Sequence, residues 1–519
     1  MTHSLRFFLQ EKYLVPLTFL LIGITGALSF TDYGVSADEP AIKAYGEQVF
    51  DYLSGGVVPE AYDWQFYGPI WPLFLISVTR MLHVQFIQTF WEIRHFLSFA
   101  LFFTGLIFFY KLGKIFFKDW RYALLGIVFL VLSPRVFAHA FYNPKDSPAM
   151  VFFILSTWSL VTFLRTRTIP MLLVHSLFCA ILVSMRMVGL LIPLLTLMFV
   201  LGTKRHRTSL AVSAGFLLTF CLCLYAIWPY LWTDPVNHFL HALLNSGTRS
   251  GGGFYFGQMV GGPMLSAALW HYLPVWMAIT IPPLYTVLFL IGFCVLGMQL
   301  VHSLRTQPKE FLVQRQTDII LFSWFLFPIV LLYASGAGIF DEWRHMLFLY
   351  PAFLLIALFG LHFLLTAVSH PLFRKSVLAV TACSVLWTGL WMVRFHPLEF
   401  GYFSIPASWV KGNFEMDYWG LSYREGWKWL LANHPSPALY VFSRTSAGEK
   451  AVETLSADEL KRIYFVPVQE AEYVLDNFRE DQYKIIPPDS HLAHMINADG
   501  VPLLGIYHGP NMVKVPANL

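Results

Sequence analysis

Charge is scarce in this chain. Asp, Glu, Lys and Arg make up 13% of its 519 residues and hydrophobic residues 56%, whereas charged residues are about 25% of a soluble globular domain. Mean hydropathy is +0.57. Such a composition excludes a soluble globular protein and calls for a membrane. Cysteine is scarcer still. Cys179, Cys221, Cys223, Cys294 and Cys383 all fall inside apolar runs. None has zinc-site spacing and none lies in a soluble loop, which excludes a disulfide framework and a cysteine-bound metal. No internal repeat or low-complexity tract is present. After Arg6 and Lys12 an apolar run extends to Phe30 with no clear small-residue cleavage site, so an uncleaved first span is expected.

The charges that are present follow a pattern. Residues 1–393 carry 24 basic and 16 acidic side chains, a net of +8, and residues 394–519 carry 11 and 15, a net of −4. Six basic clusters punctuate the first part: Arg6/Lys12, Lys111/Lys114/Lys118/Arg121, Arg165/Arg167, Lys204/Arg205/Arg207, Arg305/Lys309/Arg315 and Arg374/Lys375. The intervening gaps hold Asp38-Glu39, Asp146 and Asp341-Glu342 instead. Basic loops stay on the cytoplasmic side because they are poorly translocated. The alternation therefore places these acidic residues together on the far face. The positive surplus explains topology and contact with anionic lipid, and gives no reason to invoke nucleic acid.

A spanning helix needs about 20 apolar residues. Eleven stretches qualify: 13–30, 95–112, 121–141, 148–165, 169–185, 187–203, 208–230, 272–300, 318–336, 345–368 and 376–394. The expected fold is mainly α: a polytopic membrane domain over 1–395 with about 11 transmembrane helices, and a small extracytoplasmic α/β domain over 396–519. With the N-terminus inside, an odd number of spans leaves the C-terminal domain outside. The first outer loop, 31–94, should contain an amphipathic interfacial helix after Pro40 and an apolar segment at Trp71–Leu82 too short to span. The glycine- and aromatic-rich loop 231–271 reads as a mobile lid. In the tail, Leu439–Ser443, Ile463–Val466, Tyr473–Leu475 and Leu503–Tyr507 read as strands, with helices at 422–432 and 456–462.

Several outer-face residues are candidates for chemistry. Asp38 and Glu39 precede Pro40, where an acid can equally serve as a helix cap. Arg135 and His139 share a helix face at i and i+4. Lys145, Asp146 and Ser147 open the fourth span, where capping is again an alternative. Arg186 lies between two short spans, and Arg344-His345 opens the tenth. Ionisable groups at membrane depth are costly, which makes them functional candidates. Carboxylates, fixed cations and an interfacial helix on one face are what transfer of a group from a phosphate-linked lipid requires. A carboxylate removes the acceptor proton, and cations stabilise charge on the departing phosphate.

These motifs also carry a resemblance. Asp38-Glu39, Asn143-Pro144-Lys145-Asp146-Ser147-Pro148, Trp270-His271-Tyr272-Leu273-Pro274 and Asp341-Glu342-Trp343-Arg344-His345 resemble, in order and sidedness, the motifs of bacterial GT-C glycosyltransferases. Those enzymes are relatives of the protein O-mannosyltransferases and the lipid A aminoarabinose transferase. The stretch from His396-Pro397 to Asp417-Tyr418-Trp419-Gly420-Leu421-Ser422-Tyr423-Arg424-Glu425 is similar to the start of the tail in such proteins, and the resemblance covers about 1–430. It implies an inverting glycosyltransferase of the bacterial inner membrane. Its donor would be a polyprenyl-phosphate sugar, and its acceptor a hydroxyl of a glycan, lipid or protein. It implies Asp38 as general base, with Glu39 and Asp146 as further catalytic acids. Arg344 and His345, then Arg135, His139, Lys145 and Arg186, would bind the donor phosphate. Some members hold a divalent metal at the acidic motifs and others do not, so no cofactor is certain and a divalent metal stays open. Members often have Asp-Gly where this chain has Asp341-Glu342, which bears on the shape of that loop. The competing readings are a transporter or lipid flippase and a non-catalytic assembly subunit. Against transport stand the missing repeat and the gathering of charge on one face.

Overall fold

The computed structural model describes residues 10–56, 66–202, 206–245, 251–261, 270–479 and 491–510. Every one of the eleven apolar stretches carries helix, but not eleven unbroken spans. Eight described helices are long and apolar enough to cross a membrane, or nine if the pair Trp120–Val131 and Pro134–Tyr142, bent by 71°, counts as one. The bend falls where Ser133 turns extended ahead of Pro134, as steric clash with a proline ring demands of the preceding residue. Ile281 does the same before Pro282 and Pro283, so the expected span 272–300 is two helices, Tyr272–Thr280 and Pro283–Thr306. The stretches 169–185 and 187–203 give the shorter helices Ile169–Met185 and Met187–Leu201, separated by Arg186 in an extended conformation.

Two helices form the centre of the bundle, Asp146–Thr166 and Arg344–Ala367, with 83% and 78% of their apolar windows buried. Both begin at candidate site residues. The second packs against Pro283–Thr306 at a glycine crossing: a Cβ on Gly292 would lie 1.9 Å from the Ile356 carbonyl oxygen, and one on Gly360 would lie 2.1 Å from that of Leu288. Small residues let membrane helices approach to backbone contact, where dispersion replaces the missing hydrophobic drive. At the rim, Glu11–Ser29 exposes Leu17, Leu20, Leu21, Ile24 and Leu28, as a lipid-facing helix should.

The loop after the first span is shorter than its apolar boundaries suggest. Helix Ile87–Phe117 starts within it, burying Arg94 and His95, because helix geometry continues past the strictly apolar part once a neighbour covers the polar turn. Helices Glu39–Leu53 and Ile70–Met81 occupy the rest of what is described. Residues 246–250 and 262–269 of the anticipated lid lie outside the described residues. Its central part is a hairpin of β1 (Gly252–Tyr255) and β2 (Gln258–Gly261). The hairpin is fastened to the body: the Glu415 N–H donates to Phe254 O at 3.1 Å and the Gly257 N–H to Asn413 O at 3.2 Å.

The tail folds as helix Ser422–Asn433 on a five-stranded sheet of β3 (Leu439–Ser443), β4 (Ile463–Phe465), β5 (Tyr473–Asp476), β6 (Leu492–Ala498) and β7 (Val501–His508), ordered β4-β3-β5-β7-β6. Strand β3 runs parallel to β4 and β5, and β7 antiparallel to β5 and β6. The period-2 reading finds all but β6, an edge strand with little alternation to betray it.

Candidate active site

Asp38 occupies the N-cap position of helix Glu39–Leu53 but makes no side-chain cap bond. Its neighbour braces the preceding loop: Glu39 Oε2 accepts from the Ser36 N–H at 2.7 Å and the Ser36 hydroxyl at 3.0 Å, while Oε1 sits 3.2 Å from His95 Nε2. Glu39 is thus a buried brace for the loop, and Asp38 is released from it. Glu39→Gln should lower stability by about 1–2 kcal/mol, the cost of a compromised buried hydrogen-bond set. The rate per folded molecule should stay near wild type, read as a drop in melting temperature without a matching drop in specific activity.

Asn143 performs the equivalent service for the second acidic motif. Its Oδ1 accepts from the backbone N–H groups of Lys145 (3.1 Å) and Asp146 (2.8 Å), an Asx turn that starts helix Asp146–Thr166. Capping by Asp146 or Ser147 is therefore unnecessary, and the Asp146 carboxylate points to cations instead. It pairs with Arg186 through Oδ1 and with Arg344 Nη1, at 3.5 Å, through Oδ2.

Arg344 is where the chain segments meet. Its Nη1 reaches Asp38 at 3.2 Å, and its Nη2 reaches Asp341 at 2.7 Å. The guanidinium lies over the Trp419 ring at 4.7 Å. Lys145 Nζ stands 3.4 Å from Asp38 Oδ2. Loops separated by hundreds of residues thus bring Asp38, Asp146, Asp341, Arg344, Lys145 and Arg186 into one cluster.

The remaining expected residues sit beside it. Arg135 pairs with Glu342 and donates from Nε to Tyr402 O at 2.8 Å, over the Phe403 ring. Both nitrogens of His139 are engaged within the protein, Nδ1 with Asn143 at 2.7 Å and Nε2 with the Tyr418 hydroxyl at 3.4 Å. His345 packs edge-on against Phe340, ring centroids 4.6 Å apart. Glu342 has φ +65° and Asp341 φ +52°. Position 342 therefore takes the left-handed conformation that the glycine of an Asp-Gly pair adopts freely, and for a non-glycine residue this costs roughly 1–3 kcal/mol. The buried pair with Arg135 holds it there.

Exposure separates the carboxylates. The side chains of Asp146, Asp341, Glu342 and Glu415 are 1–4% exposed, whereas Asp38 is 26% exposed, beside Lys145 at 20% and Arg186 at 17%. Burial pushes the Asp38 carboxyl up, but the charges of Lys145 and Arg344 outweigh it and hold it at about 2. Burial raises Glu342 to about 7 against the opposing charge of Arg135, and lifts Glu415 well above the carboxylate range. Among the described residues no three His, Cys, Asp or Glu side chains come together as a metal-binding set. The acidic motifs converge instead on the Arg344 guanidinium.

Sequence reasoning missed Tyr418, Trp419, Glu415 and Arg479 as parts of this cluster. Arg479 lies 3.3 Å from Asp341 Oδ1 and 3.7 Å from Glu415 Oε1, and donates to Tyr418 O at 2.7 Å. A lone arginine in a polar tail carries no periodic or positional signal that could have found it. Beside the cluster an apolar groove runs along Ile42, Tyr45, Trp71 and Pro72 to Lys145.

The sequence matches no protein-family model, and no curated protein matches it. Solved structures do match. ArnT from Cupriavidus metallidurans, bound to undecaprenyl phosphate, is similar at 12% identity and a TM-score of 0.50, covering 95% of this chain and 97% of that one. The Archaeoglobus fulgidus oligosaccharyltransferase in its apo form is similar at 10% identity and a TM-score of 0.47, covering 89% and 69%. The oligosaccharyltransferase AglB from Archaeoglobus fulgidus, in complex with an inhibitory peptide and a dolichol-phosphate, gives 10% and 0.45, covering 90% and 70%. With its apolar helical bundle, acidic and basic site residues gathered in one cluster and a small C-terminal sheet, this integral membrane protein has the fold of ArnT from Cupriavidus metallidurans.

Proposed function

We propose that the protein is an inverting glycosyltransferase that moves a sugar from a polyprenyl-phosphate donor to an acceptor hydroxyl, with the site facing away from the cytoplasm. The observation that carries this reading is the exposure contrast. One ionised carboxylate, Asp38, is reachable, and it sits within 3.4 Å of two cations, while Asp146 and Asp341 are buried against Arg344. Asp38 takes the proton of the acceptor hydroxyl. The acceptor oxygen bonds to the anomeric carbon as the bond from that carbon to the phosphate oxygen breaks. Polyprenyl phosphate departs, and one displacement inverts the centre. Lys145, Arg186 and Arg344 stabilise the charge on the leaving phosphate.

The low pKa of Asp38 belongs to the protein without donor. A phosphate that engages Lys145 and Arg344 takes over the charges holding that carboxyl down. Its pKa then rises toward the range useful for a base, so donor binding itself arms the site. The apolar groove ending at Lys145 suits the first isoprene units, in keeping with the undecaprenyl phosphate bound by ArnT. The alternating basic loops support the outward orientation, which would put the acceptor among cell-envelope glycans, lipids or proteins.

Mass spectrometry of lipid extracts tests the reading. A deletion strain should accumulate a polyprenyl-phosphate sugar that the restored gene consumes. An unchanged lipid profile, together with purified protein that moves labelled polyprenyl lipid across a vesicle without converting it, would favour transport and end the transferase reading.

A further inference from the structure

One limb of the cluster is completed by a residue that none of the site motifs contains. Asp341 divides its carboxylate between two partners, with Oδ2 on Arg344 Nη2 at 2.7 Å and Oδ1 on Arg479 Nη2 at 3.3 Å. Arg479 comes from the C-terminal domain, just past β5. Its own position is built. Phe478 adopts φ +57° and its N–H donates to Asp476 Oδ1 at 2.8 Å, and Asn477 Nδ2 donates to Asp417 O at 2.8 Å. That turn is pinned to the Asp417–Trp419 segment, whose Trp419 ring lies under Arg344.

The loop that Arg479 touches has reason to need holding. Asp341 and Glu342 are consecutive left-handed residues, neither of them glycine. Such a conformation persists where surrounding contacts over-determine it, and it gathers at functional sites. On one flank Arg135 holds Glu342. On the other, Arg479 holds Asp341, and through it Arg344, which reaches Asp38 and Asp146. Without this second clamp, Asp341 has less to keep it left-handed, and its relaxation would swing the guanidinium that three carboxylates share.

We propose that Arg479 is a positioning residue of the active site, and that through it the C-terminal domain sets the geometry of Arg344. The catalytic consequence rests on the transferase reading above, whereas the structural one does not. Removing the clamp slows the chemical step more than it weakens acceptor binding, since a misplacement of about 1 Å can cost about 10²-fold in rate.

The test uses the full-length protein in lipid nanodiscs with Arg479→Gln, Arg479→Lys and, as a control in the same domain, the exposed Lys461→Ala. Kinetics use a polyprenyl-phosphate sugar, and hydrogen exchange is followed over residues 336–345. Arg479→Gln should lower kcat by about 10- to 100-fold, with little change in acceptor KM, and should speed exchange in that segment. Arg479→Lys, which keeps the charge, should recover part of both, and Lys461→Ala should match wild type. If Arg479→Gln fails to fold, Arg479→Lys carries the comparison, with intermediate losses expected. Wild-type kcat and unchanged exchange in the folded variants would overturn the proposal. Should wild type itself transfer nothing while exchange still responds to Arg479, the transferase reading falls and the positioning of the loop stands.

Discussion

Asp38→Asn should abolish detectable sugar transfer from a polyprenyl-phosphate donor while expression and melting temperature stay close to wild type. Asparagine is nearly isosteric but cannot accept a proton at neutral pH, and a general base contributes about 10²–10⁴-fold. The fold should tolerate the change because Asp38 makes no cap bond and Glu39 braces the loop. Its side chain is a quarter exposed, so Lys145 and Arg344 keep access to solvent or other acids when its charge is removed. The pH profile adds a second signature. A carboxyl held at about 2 stays ionised in the free protein throughout the mildly acidic range. The acid limb of kcat/KM between pH 3 and 6, where ordinary carboxylates titrate, should therefore not report Asp38. Near-normal turnover by Asp38→Asn would move the base to Asp146 or Glu39, both of which the geometry disfavours, and the mechanism would have to be redrawn.

Arg344→Ala has the second large effect, and it combines two losses. A surface pair with Asp341 alone would be worth about 0–1 kcal/mol, and its loss would leave the fold intact. Arg344 is in fact 6% exposed and pairs with Asp38, Asp146 and Asp341. Breaking a buried pair by removing one partner costs about 3–5 kcal/mol, because the orphaned charges stay buried. Arg344→Ala should therefore melt at a markedly lower temperature and transfer at least about 10²-fold more slowly. Arg344→Lys separates the two losses. A lysine restores the charge but has no fork with which to reach carboxylates on two sides. It should fold, and it should show its defect at limiting donor, in single-turnover measurements. Wild-type dependence on donor concentration in Arg344→Lys would take this residue out of the phosphate site.

How much of this was legible depends on the range of the cause. Asp38, Lys145, Asp146 and Arg344 stand out in the sequence because a charged residue at the end of an apolar run is conspicuous, and charge alternation puts them on one face. Breaks at Ser133-Pro134 and Ile281-Pro282 are local steric facts, readable in principle from the prolines, yet hydropathy averages over them. The groups that complete the cluster are a different matter. Arg479 is 138 residues from Asp341 along the chain, and nothing near it in sequence distinguishes it from any other arginine of the tail. Order before Pro40 already makes Glu39 the better placed acid to serve the helix start and Asp38 the one to project from the loop, but the partners of Glu39, Ser36 and His95, are set by packing.

The sequence by itself determined that this is a helical membrane protein with a small α/β tail, and that its acids and several cations share a face. Helices, the shared face and strands follow from hydropathy, charge placement and residue periodicity, all of them properties of neighbouring residues. Only the tertiary structure decided that Glu39 braces against Ser36 and His95, that Arg135 holds Glu342 in a left-handed turn, and that Arg344 is shared by three carboxylates and steadied from the C-terminal domain. Those outcomes are differences in burial and in distances of a few ångströms between segments remote in the chain. Packing sets such differences, and no local pattern encodes them.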